Sequence, residues 1–304
     1  MNSTDLLVQY LDYASMVYFV LTLFLYSAFL GTIVRFRSKE PFNSSFYFHC
    51  LCLGGADVLM LLVVQLCLRV PMRFWFPSLF LGTSGWFVSR FTSFALYALV
   101  YAQYLGILFL CWNRFVAIVF PFNYNQWCST SKQRAMLAVQ ISVPLVISMP
   151  LLLVMDISRY ILLVDENGQP HIMLSFRTDL IATSFYPASL VLSNWSLTLT
   201  ITLFYVAIGL KLWKQKTQVG ASVDRQTNQQ ARTRELRLLF SSVLIFLIMF
   251  TYAVYHVMEI VFRNHSRKQI VAMTVFTTIS DLFSGLNPYL LMITKTIELY
   301  LPLL

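Results

Sequence analysis

Two carboxylates, Asp57 and Asp281, lie within long apolar segments, where a polar group is costly and therefore suggests a function. Asp57 follows Leu53-Gly-Gly-Ala, and Asn287-Pro288 interrupts the last apolar segment. Pro288 removes a backbone hydrogen bond and leaves a carbonyl that a polar neighbour can satisfy. We predict that Asp57 and Asn287 face each other as part of a conformational switch. The alternative is a structural hydrogen-bonded pair with no switching role.

A third polar position, Arg114, lies near the end of another apolar segment, in Cys111-Trp-Asn-Arg-Phe-Val-Ala-Ile-Val-Phe-Pro121. An arginine at such a boundary can extend to lipid phosphates. It can also wait to engage the carbonyls at the C-terminus of a partner's helix. The residues alone leave both readings open.

Seven apolar segments must position these side chains. They run from about Ala14 to Val34, Ser45 to Leu68, Trp86 to Phe120, Ala135 to Met155, Tyr186 to Leu212, Leu238 to Phe262 and Ile270 to Ile293. Each is long enough to cross about 30 Å of hydrocarbon at about 1.5 Å per residue. The sequence therefore predicts an all-α membrane protein, with residues 1–304 forming a single seven-helix domain. We expect the first segment to be a retained span, because acidic residues precede it and Arg35 follows it.

The composition excludes several classes of protein. Of the 304 residues, 58% are apolar and only 12% are charged, about half of the roughly 25% usual in soluble domains. This balance argues against a disordered chain and against a water-soluble enzyme. No phosphate loop, HExxH, zinc-ligand set or nucleophile elbow occurs, so we expect no enzymatic activity and no cofactor or metal. The cysteines are interpreted as small buried apolar residues: Cys50, Cys52, Cys67, Cys111 and Cys128.

The distribution of charge predicts the orientation. If the N-terminus is outside, 14 of the 22 basic residues lie on the inner side, and 8, including Arg69, lie on the outer side. The inner side is then net +10 and the outer side about +1. By the positive-inside rule, the N-terminus is outside and the C-terminus inside. The net charge of +9 thus reflects topology rather than nucleic-acid binding. Asn2-Ser3-Thr4 is a glycosylation sequon at the outer end.

Helical spacing places aromatic and polar side chains on three faces that converge near the outer halves of the helices. Apolar walls with a few hydroxyl and ionisable groups suit an odorant or a short amphipathic metabolite. The alternative is that these stripes are ordinary helix-packing contacts. The candidate ligand-binding residues are Tyr97, Tyr101 and Tyr104 of the third segment, Asn194 and Trp195 of the fifth, Tyr252, Tyr255, His256 and Glu259 of the sixth, and Thr278 and Asp281 of the seventh.

Together these features resemble the seven-helix G-protein-coupled receptors. Leu-x-x-Ala-Asp57, Asn113-Arg114-Phe and Asn287-Pro288 fall in the right segments and in the right order. Asn113 to Pro121, followed by Tyr124 and Trp127, is similar to nematode serpentine chemoreceptors of class V or the related class gamma. The resemblance implies a plasma-membrane receptor of a sensory cell that binds a small molecule and signals to a heterotrimeric G protein. Asp57, Asn113, Arg114, Asn287 and Pro288 would form its switch.

The sequence departs from the rhodopsin-like pattern in several places. Asn113 occupies the position of the usual acid, so Arg114 has no adjacent carboxylate. Tyr289 follows Asn287-Pro288 at once, the sixth segment has no proline, and residues 156–183 have no cysteine for the usual disulfide. The basic residues from Lys211 to Arg237 suit either a G protein or the anionic inner leaflet.

Three other classes of membrane protein are less well supported. A retinal photoreceptor needs a lysine deep in the seventh segment, but Lys295 lies at its inner end. A presenilin-type aspartyl protease needs Gly-x-Gly-Asp, and here Gly55-Ala56 precedes Asp57. A transporter of a small solute is the remaining alternative. It usually has internal repeats and several charged groups at mid-membrane, and we find no repeat here.

Overall fold

Five long helices and one β-hairpin dominate the part of the chain that the structure describes. The structure is a computed structural model, and it describes residues 3–39, 42, 44–153, 158–164, 168–176, 181–218, 247, 251, 271, 273–285 and 289. The helices are α1 (Ser3–Arg35), α2 (Ser45–Met72), α3 (Gly85–Val119), α4 (Thr130–Leu153) and α5 (Ile181–Gln218). Residues 273–285, within the predicted seventh segment, are also helical.

Five of these helices are long and apolar enough to cross a membrane: Tyr10–Arg35, Ser45–Met72, Gly85–Val119, Thr130–Leu153 and Ala188–Lys211. They coincide with the first five predicted segments, apart from their ends. Short helices occupy the connections, at Pro77–Leu81, Pro121–Asn123 and Tyr124–Trp127. Of the predicted sixth segment, only residues 247 and 251 belong to the described part of the chain.

The second helix is longer than the sequence predicted. The prediction ended it at Leu68, before Val70-Pro71, but the helix changes to a π-helical turn over Val64–Arg69 and continues as α-helix over Val70–Met72. Proline lacks a backbone N–H and usually interrupts a helix. The π turn, which pairs residues five apart, accommodates the change before Pro71. Arg69 is therefore part of the helix, one residue beyond the predicted boundary at Leu68.

The core of the bundle surrounds α3, which packs against α2, α4 and α5. Gly106 of α3 allows side chains of α2 and α4 to approach the α3 backbone closely. A Cβ atom there would lie 2.6 Å from Gln140 Nε2 on α4 and 2.9 Å from Leu53 Cδ1 on α2. Gln140 Nε2 also donates to the carbonyl of Ala102 at 3.2 Å. A larger residue at Gly106 would therefore require the side chains of Gln140 and Leu53 to shift.

A two-stranded antiparallel hairpin covers one end of the bundle. Strand β1 (Ser158–Val164) pairs with β2 (Pro170–Phe176), with Ser158 opposite Phe176 and Val164 opposite Pro170. The sequence analysis treated these residues only as a polar connection. Asn167-Gly168 was the missed signal, because this dipeptide favours hairpin turns. Gly168 has a φ of +77°, which glycine adopts without strain. We call this end of the bundle the hairpin end and the opposite end the Arg114 end.

Hydroxyl groups attach the hairpin to α3. Ser89 Oγ donates to the carbonyl of Ser158 at 2.9 Å, and Ser93 Oγ donates to Ser158 Oγ at 2.8 Å. Tyr160 Oη donates to the carbonyl of Cys67 at 2.7 Å and lies 3.0 Å from Thr92 Oγ1. All five cysteines are free. Hydrogen bonds to α2 and α3 thus take the place of the disulfide that the sequence lacks.

Candidate functional site

Asp57 is the centre of a polar network that joins α1, α2, α3 and the seventh segment. Tyr26 Oη donates to Asp57 Oδ2 at 2.5 Å, and Gln103 Nε2 donates to Asp57 Oδ1 at 2.7 Å. Gln103 Nε2 also lies 2.8 Å from Ser284 Oγ. Asp57, Gln103 and Ser284 are each at most 1% exposed. We refer to Tyr26, Asp57, Gln103 and Ser284 as the Asp57 network.

The predicted partner of Asp57, Asn287, lies outside the described residues, as does Pro288. The structure instead brings Ser284, three residues earlier, into the Asp57 network through Gln103. Next to Pro288, the side chain of Tyr289 turns towards α1. Its hydroxyl lies 3.0 Å from Thr22 Oγ1, and its ring stacks on that of Tyr18 with centroids 6.0 Å apart. The seventh segment is thus joined to α1 close to the Asn-Pro position.

Asp281, which had no partner in the sequence analysis, forms a buried ion pair with Arg69. Arg69 Nη2 lies 2.7 Å from Asp281 Oδ2, and each side chain is 2% exposed. The pair joins the π-helical turn of α2 to the seventh segment. Sequence reasoning missed Arg69 because it ended the second segment one residue earlier. The uncompensated charge of Asp281 was the available signal, since a buried carboxylate requires a partner.

A second ion pair lies one helical turn further towards the hairpin end. Arg73 Nε and Nη2 donate to Asp12 Oδ2 and Oδ1 at 2.8 and 2.9 Å, so the contact is bidentate. The side chains of Arg73 and Asp12 are 17% and 34% exposed. Arg69 and Arg73 are four residues apart and therefore share a face of α2. The partly exposed Arg73–Asp12 pair is therefore followed, one turn deeper in the bundle, by the buried Arg69–Asp281 pair.

The tyrosine stripe of α3 lies in the core of the bundle. Tyr97, Tyr101 and Tyr104 are all buried and pack in a cluster with Leu190 and Leu197 of α5 and Phe283 of the seventh segment. Tyr101 Oη is 2.8 Å from Ser189 Oγ on α5. The ring of Tyr104 meets that of Phe283 edge-on, with centroids 6.2 Å apart. The three tyrosines therefore converge on the inside of the bundle.

The other candidate ligand-binding residues are placed differently. Asn194 is fully buried, whereas its neighbour Trp195 is 51% exposed. The hydroxyl of Thr278 lies 3.4 Å from Ser15 Oγ and donates to the carbonyl of Thr274, so Thr278 faces α1. Four candidates of the sixth segment lie outside the described residues, as does the sequon asparagine: Tyr252, Tyr255, His256, Glu259 and Asn2.

At the Arg114 end, the Asn-Arg-Phe motif makes two separate contacts. Tyr124, in the short helix after α3, donates its hydroxyl to Asn113 Oδ1 at 3.1 Å. Burial raises the pKa of Tyr124 above its ordinary value, so this hydroxyl keeps its proton and its capacity to donate. The guanidinium of Arg114 lies over the ring of Phe46 on α2, 5.2 Å from its centroid. Asn113 therefore binds the short helix that follows α3, whereas Arg114 packs on an aromatic ring of α2.

Comparisons with known proteins identify the family to which the chain belongs. The family described as "Serpentine type 7TM GPCR chemoreceptor Srv" matches residues 15–299. The chain is also 32% identical over 116 residues to "Serpentine receptor class V-1" of Caenorhabditis elegans. That match covers 38% of this chain and 37% of the relative, so it spans little more than a third of either protein. With most of its length matched by the family, this chain belongs to the Srv family of serpentine seven-transmembrane chemoreceptors.

Proposed function

We propose that this chain binds a small external ligand and transmits a conformational change to a cytoplasmic heterotrimeric G protein. Membership of a chemoreceptor family supports the sensory part of this proposal. The ligand would be an odorant or a metabolite, and the receptor would lie in the plasma membrane of a sensory cell. The N-terminus and the hairpin end would face outward, and the Arg114 end would face the cytoplasm.

One observation carries the proposed transmission through the bundle. Asp281 and Ser284 lie three residues apart on the seventh segment, so they occupy neighbouring positions on one helix face. Asp281 pairs with Arg69, while Ser284 shares Gln103 with Asp57. A displacement of the seventh segment at Asp281 would therefore alter the Asp57 network. Ligand contacts near Tyr101 and Tyr255 would favour one arrangement of these helices over another, which is a population shift.

Arg114 would carry the response to the G protein. Its contact in the described structure is the face of Phe46, and both side chains are half-buried, so this cation–π contact contributes about 0.5–2 kcal/mol. Release from this ring is therefore inexpensive. A moderate rearrangement at the cytoplasmic end would expose the guanidinium to the carbonyls at the C-terminus of a partner helix.

Reporter imaging in cells that express the chain, challenged with a panel of odorants and metabolites, tests the proposal. We expect ligand-evoked calcium or cyclic-nucleotide responses in the parent chain. Arg114→Ala should reach the cell surface and lose these responses, because the contact with the G protein is removed. Lys132→Ala is a matched control, since Lys132 also lies over an aromatic ring at this end, 4.9 Å from the centroid of Trp127. Unchanged signalling by Arg114→Ala would contradict the role of Arg114.

Transport of a small solute is distinguished by flux. A transporter would move a labelled substrate across the membrane in cells that lack heterotrimeric G proteins. The proposed receptor would produce no response in those cells and no flux.

A further inference from the structure

The Arg69–Asp281 pair is buried but incompletely satisfied. A guanidinium and a carboxylate can form two parallel hydrogen bonds, as Arg73 and Asp12 do. Arg69 instead contacts Asp281 through Nη2 alone. Its Nη1 atom and Asp281 Oδ1 have no hydrogen-bond partner among the described residues. A donor of Arg69 and an acceptor of Asp281 are therefore unsatisfied in the interior of the described bundle.

Two further polar atoms, on residues close to the pair in sequence, also lack a hydrogen-bond partner in the described part of the chain. Gln65 Oε1 and Ser280 Oγ are buried without a hydrogen-bond partner in the described structure. Gln65 and Arg69 belong to one π-helical turn, and Ser280 precedes Asp281 on the seventh segment. Buried polar groups in native proteins are nearly always paired, so these four atoms on α2 and the seventh segment have capacity left to bind a small polar molecule. Single π turns within helices also occur frequently at functional sites.

Apolar residues of the core adjoin the pair. Val64 and Leu68 of the same π turn are fully buried, and they belong to one core cluster with Tyr97, Tyr101 and Phe283. The partly exposed Arg73–Asp12 pair lies one turn nearer to the hairpin end. A molecule at Arg69 would thus have its charged partners in Arg69 and Asp281 and its apolar neighbours in this cluster.

Charge balance limits the kind of molecule that fits. Arg69 and Asp281 together are neutral, and burying one additional charge in such a site would be costly. A ligand with only an anionic group would leave Asp281 without its cation, and one with only a cationic group would leave Arg69 without its anion. A molecule that carries both groups can give its carboxylate to Arg69 and its ammonium to Asp281. Each buried charge then keeps a partner.

We propose that Arg69 and Asp281 are the recognition pair for a small zwitterion of amino-acid type with an apolar tail. Its carboxylate binds Arg69, its ammonium binds Asp281, and its tail lies towards Tyr101 and Phe283. This inference rests on the proposed function, because it assigns the chemical class of the external ligand. Binding separates Arg69 from Asp281, which frees the seventh segment to move relative to α2.

Direct binding to the purified full-length chain tests the inference without any need for G-protein coupling. The probes are four six-carbon compounds, namely norleucine, hexanoate, hexylamine and hexanol, and the readout is the shift in the thermal midpoint as each concentration rises. A ligand that binds only the folded state raises the midpoint, and the rise grows with the logarithm of its concentration divided by its Kd. We expect norleucine to bind about 10- to 100-fold more tightly than hexanol, since each charge-assisted hydrogen bond contributes strongly.

The double variant Arg69→Gln with Asp281→Asn removes both charges at once and so avoids an uncompensated buried ion. It should lose the preference for norleucine. The matched control, Arg73→Gln with Asp12→Asn, removes the neighbouring ion pair and should keep the preference. If the first variant does not fold, the ranking of the four probes on the parent chain decides the question. Equal affinities for norleucine and hexanol, absence of norleucine binding, or an unchanged preference in the folded double variant would overturn the inference. None of these results would affect a G-protein response to another compound, which tests the proposed function separately.

Discussion

The two ends of the bundle are held together by different chemistry. In the part of the chain that the structure describes, both ion pairs, Arg69–Asp281 and Arg73–Asp12, lie towards the hairpin end. In the middle, Asp57 accepts hydrogen bonds from the neutral side chains of Tyr26 and Gln103. At the Arg114 end, Tyr124 donates to the neutral side chain of Asn113, and the cations Arg114 and Lys132 lie over aromatic rings. Two buried aspartates thus have different kinds of partner: Asp57 binds neutral donors, and Asp281 binds a cation.

This difference teaches that burial alone does not define the role of an intramembrane acid. Asp57 is held by two donors from two helices, an arrangement that fixes four helical elements relative to one another. Asp281 depends on one cation through one contact. An ion pair of this kind is sensitive to any group that competes for either charge, whereas a network of neutral donors is not. Under the proposed function, the hairpin end would respond to a ligand and the middle would keep the helices in register.

Loss of one charge from the buried pair should have the largest effect. Asp281→Leu leaves the guanidinium of Arg69 buried without an anion, which should lower the free energy of unfolding by about 3–5 kcal/mol. The double variant Arg69→Leu with Asp281→Leu should recover most of this loss, because no uncompensated charge remains. Thermal unfolding in detergent, together with the amount of receptor at the cell surface, measures the stability of the single and of the double variant. Equal midpoints for the single and the double variant would show that the charges are not coupled.

Removal of one neutral donor from Asp57 should have a smaller effect. Tyr26→Phe deletes the hydroxyl that donates to Asp57 Oδ2 and keeps the ring in the α1–α2 interface. Hydrogen bonds to charged groups contribute about 1.5–3 kcal/mol, so the free energy of unfolding should fall by about that amount. Tyr13→Phe is the control, since Tyr13 lies on the same helix and is 63% exposed. If both variants lost the same stability, the comparison between the two aspartates would fail.

The smallest effect is expected where the hairpin meets α2 and α3. Tyr160→Phe removes the hydroxyl contacts to the carbonyl of Cys67 and to Thr92, at about 0.5–1.5 kcal/mol for each hydrogen bond. Faster amide hydrogen exchange in residues 158–176, with little change in α1, would report a local loosening of the hairpin. Unchanged exchange in the hairpin would mean that the serine contacts suffice.

The same tyrosine gives a dependence on pH with a defined sign. Burial raises the pKa of Tyr160 above its ordinary value, so the folded chain keeps this proton after the unfolded chain has lost it. The contribution of Tyr160 to stability is therefore complete below about pH 10 and decreases as the pH rises beyond it. The free energy of unfolding of Tyr160→Phe should therefore lie closer to that of the parent chain above that pH than below it. A deficit that widened with rising pH would contradict the assigned direction.

The helical architecture was predictable because each span needs a long run of apolar residues, which is visible without tertiary contacts. The hairpin was not predicted, although Tyr160 and the two residues before it show why it forms. Ser158 and Tyr160 are buried while Arg159 between them is exposed, an alternation typical of a half-buried strand. Among the described residues, their hydroxyls find hydrogen-bond partners only on α2 and α3, so the pattern has meaning only once the bundle exists.

The candidate site was predictable in part. The inward direction of the tyrosine stripe follows from helical spacing, and the structure places all three rings in the core. Arg69 did not follow from spacing, because a proline two residues later favours the end of a helix. The continuation through Pro71 depends on a change of hydrogen-bond pattern over Val64–Arg69. Local sequence rules do not contain that change, because packing against the neighbouring helices selects it.

The π turn in α2 also bears on how receptors of this architecture can diverge. Such a turn corresponds to one additional residue in an otherwise α-helical run. Deleting a single codon there would rotate everything beyond it by about 100° about the helix axis. Arg69 and Arg73 would then turn away from Asp281 and Asp12, while Asp57 and the residues before the turn would keep their places. One insertion or deletion would thus redirect the charged side chains beyond the turn without disturbing the helix contacts before it.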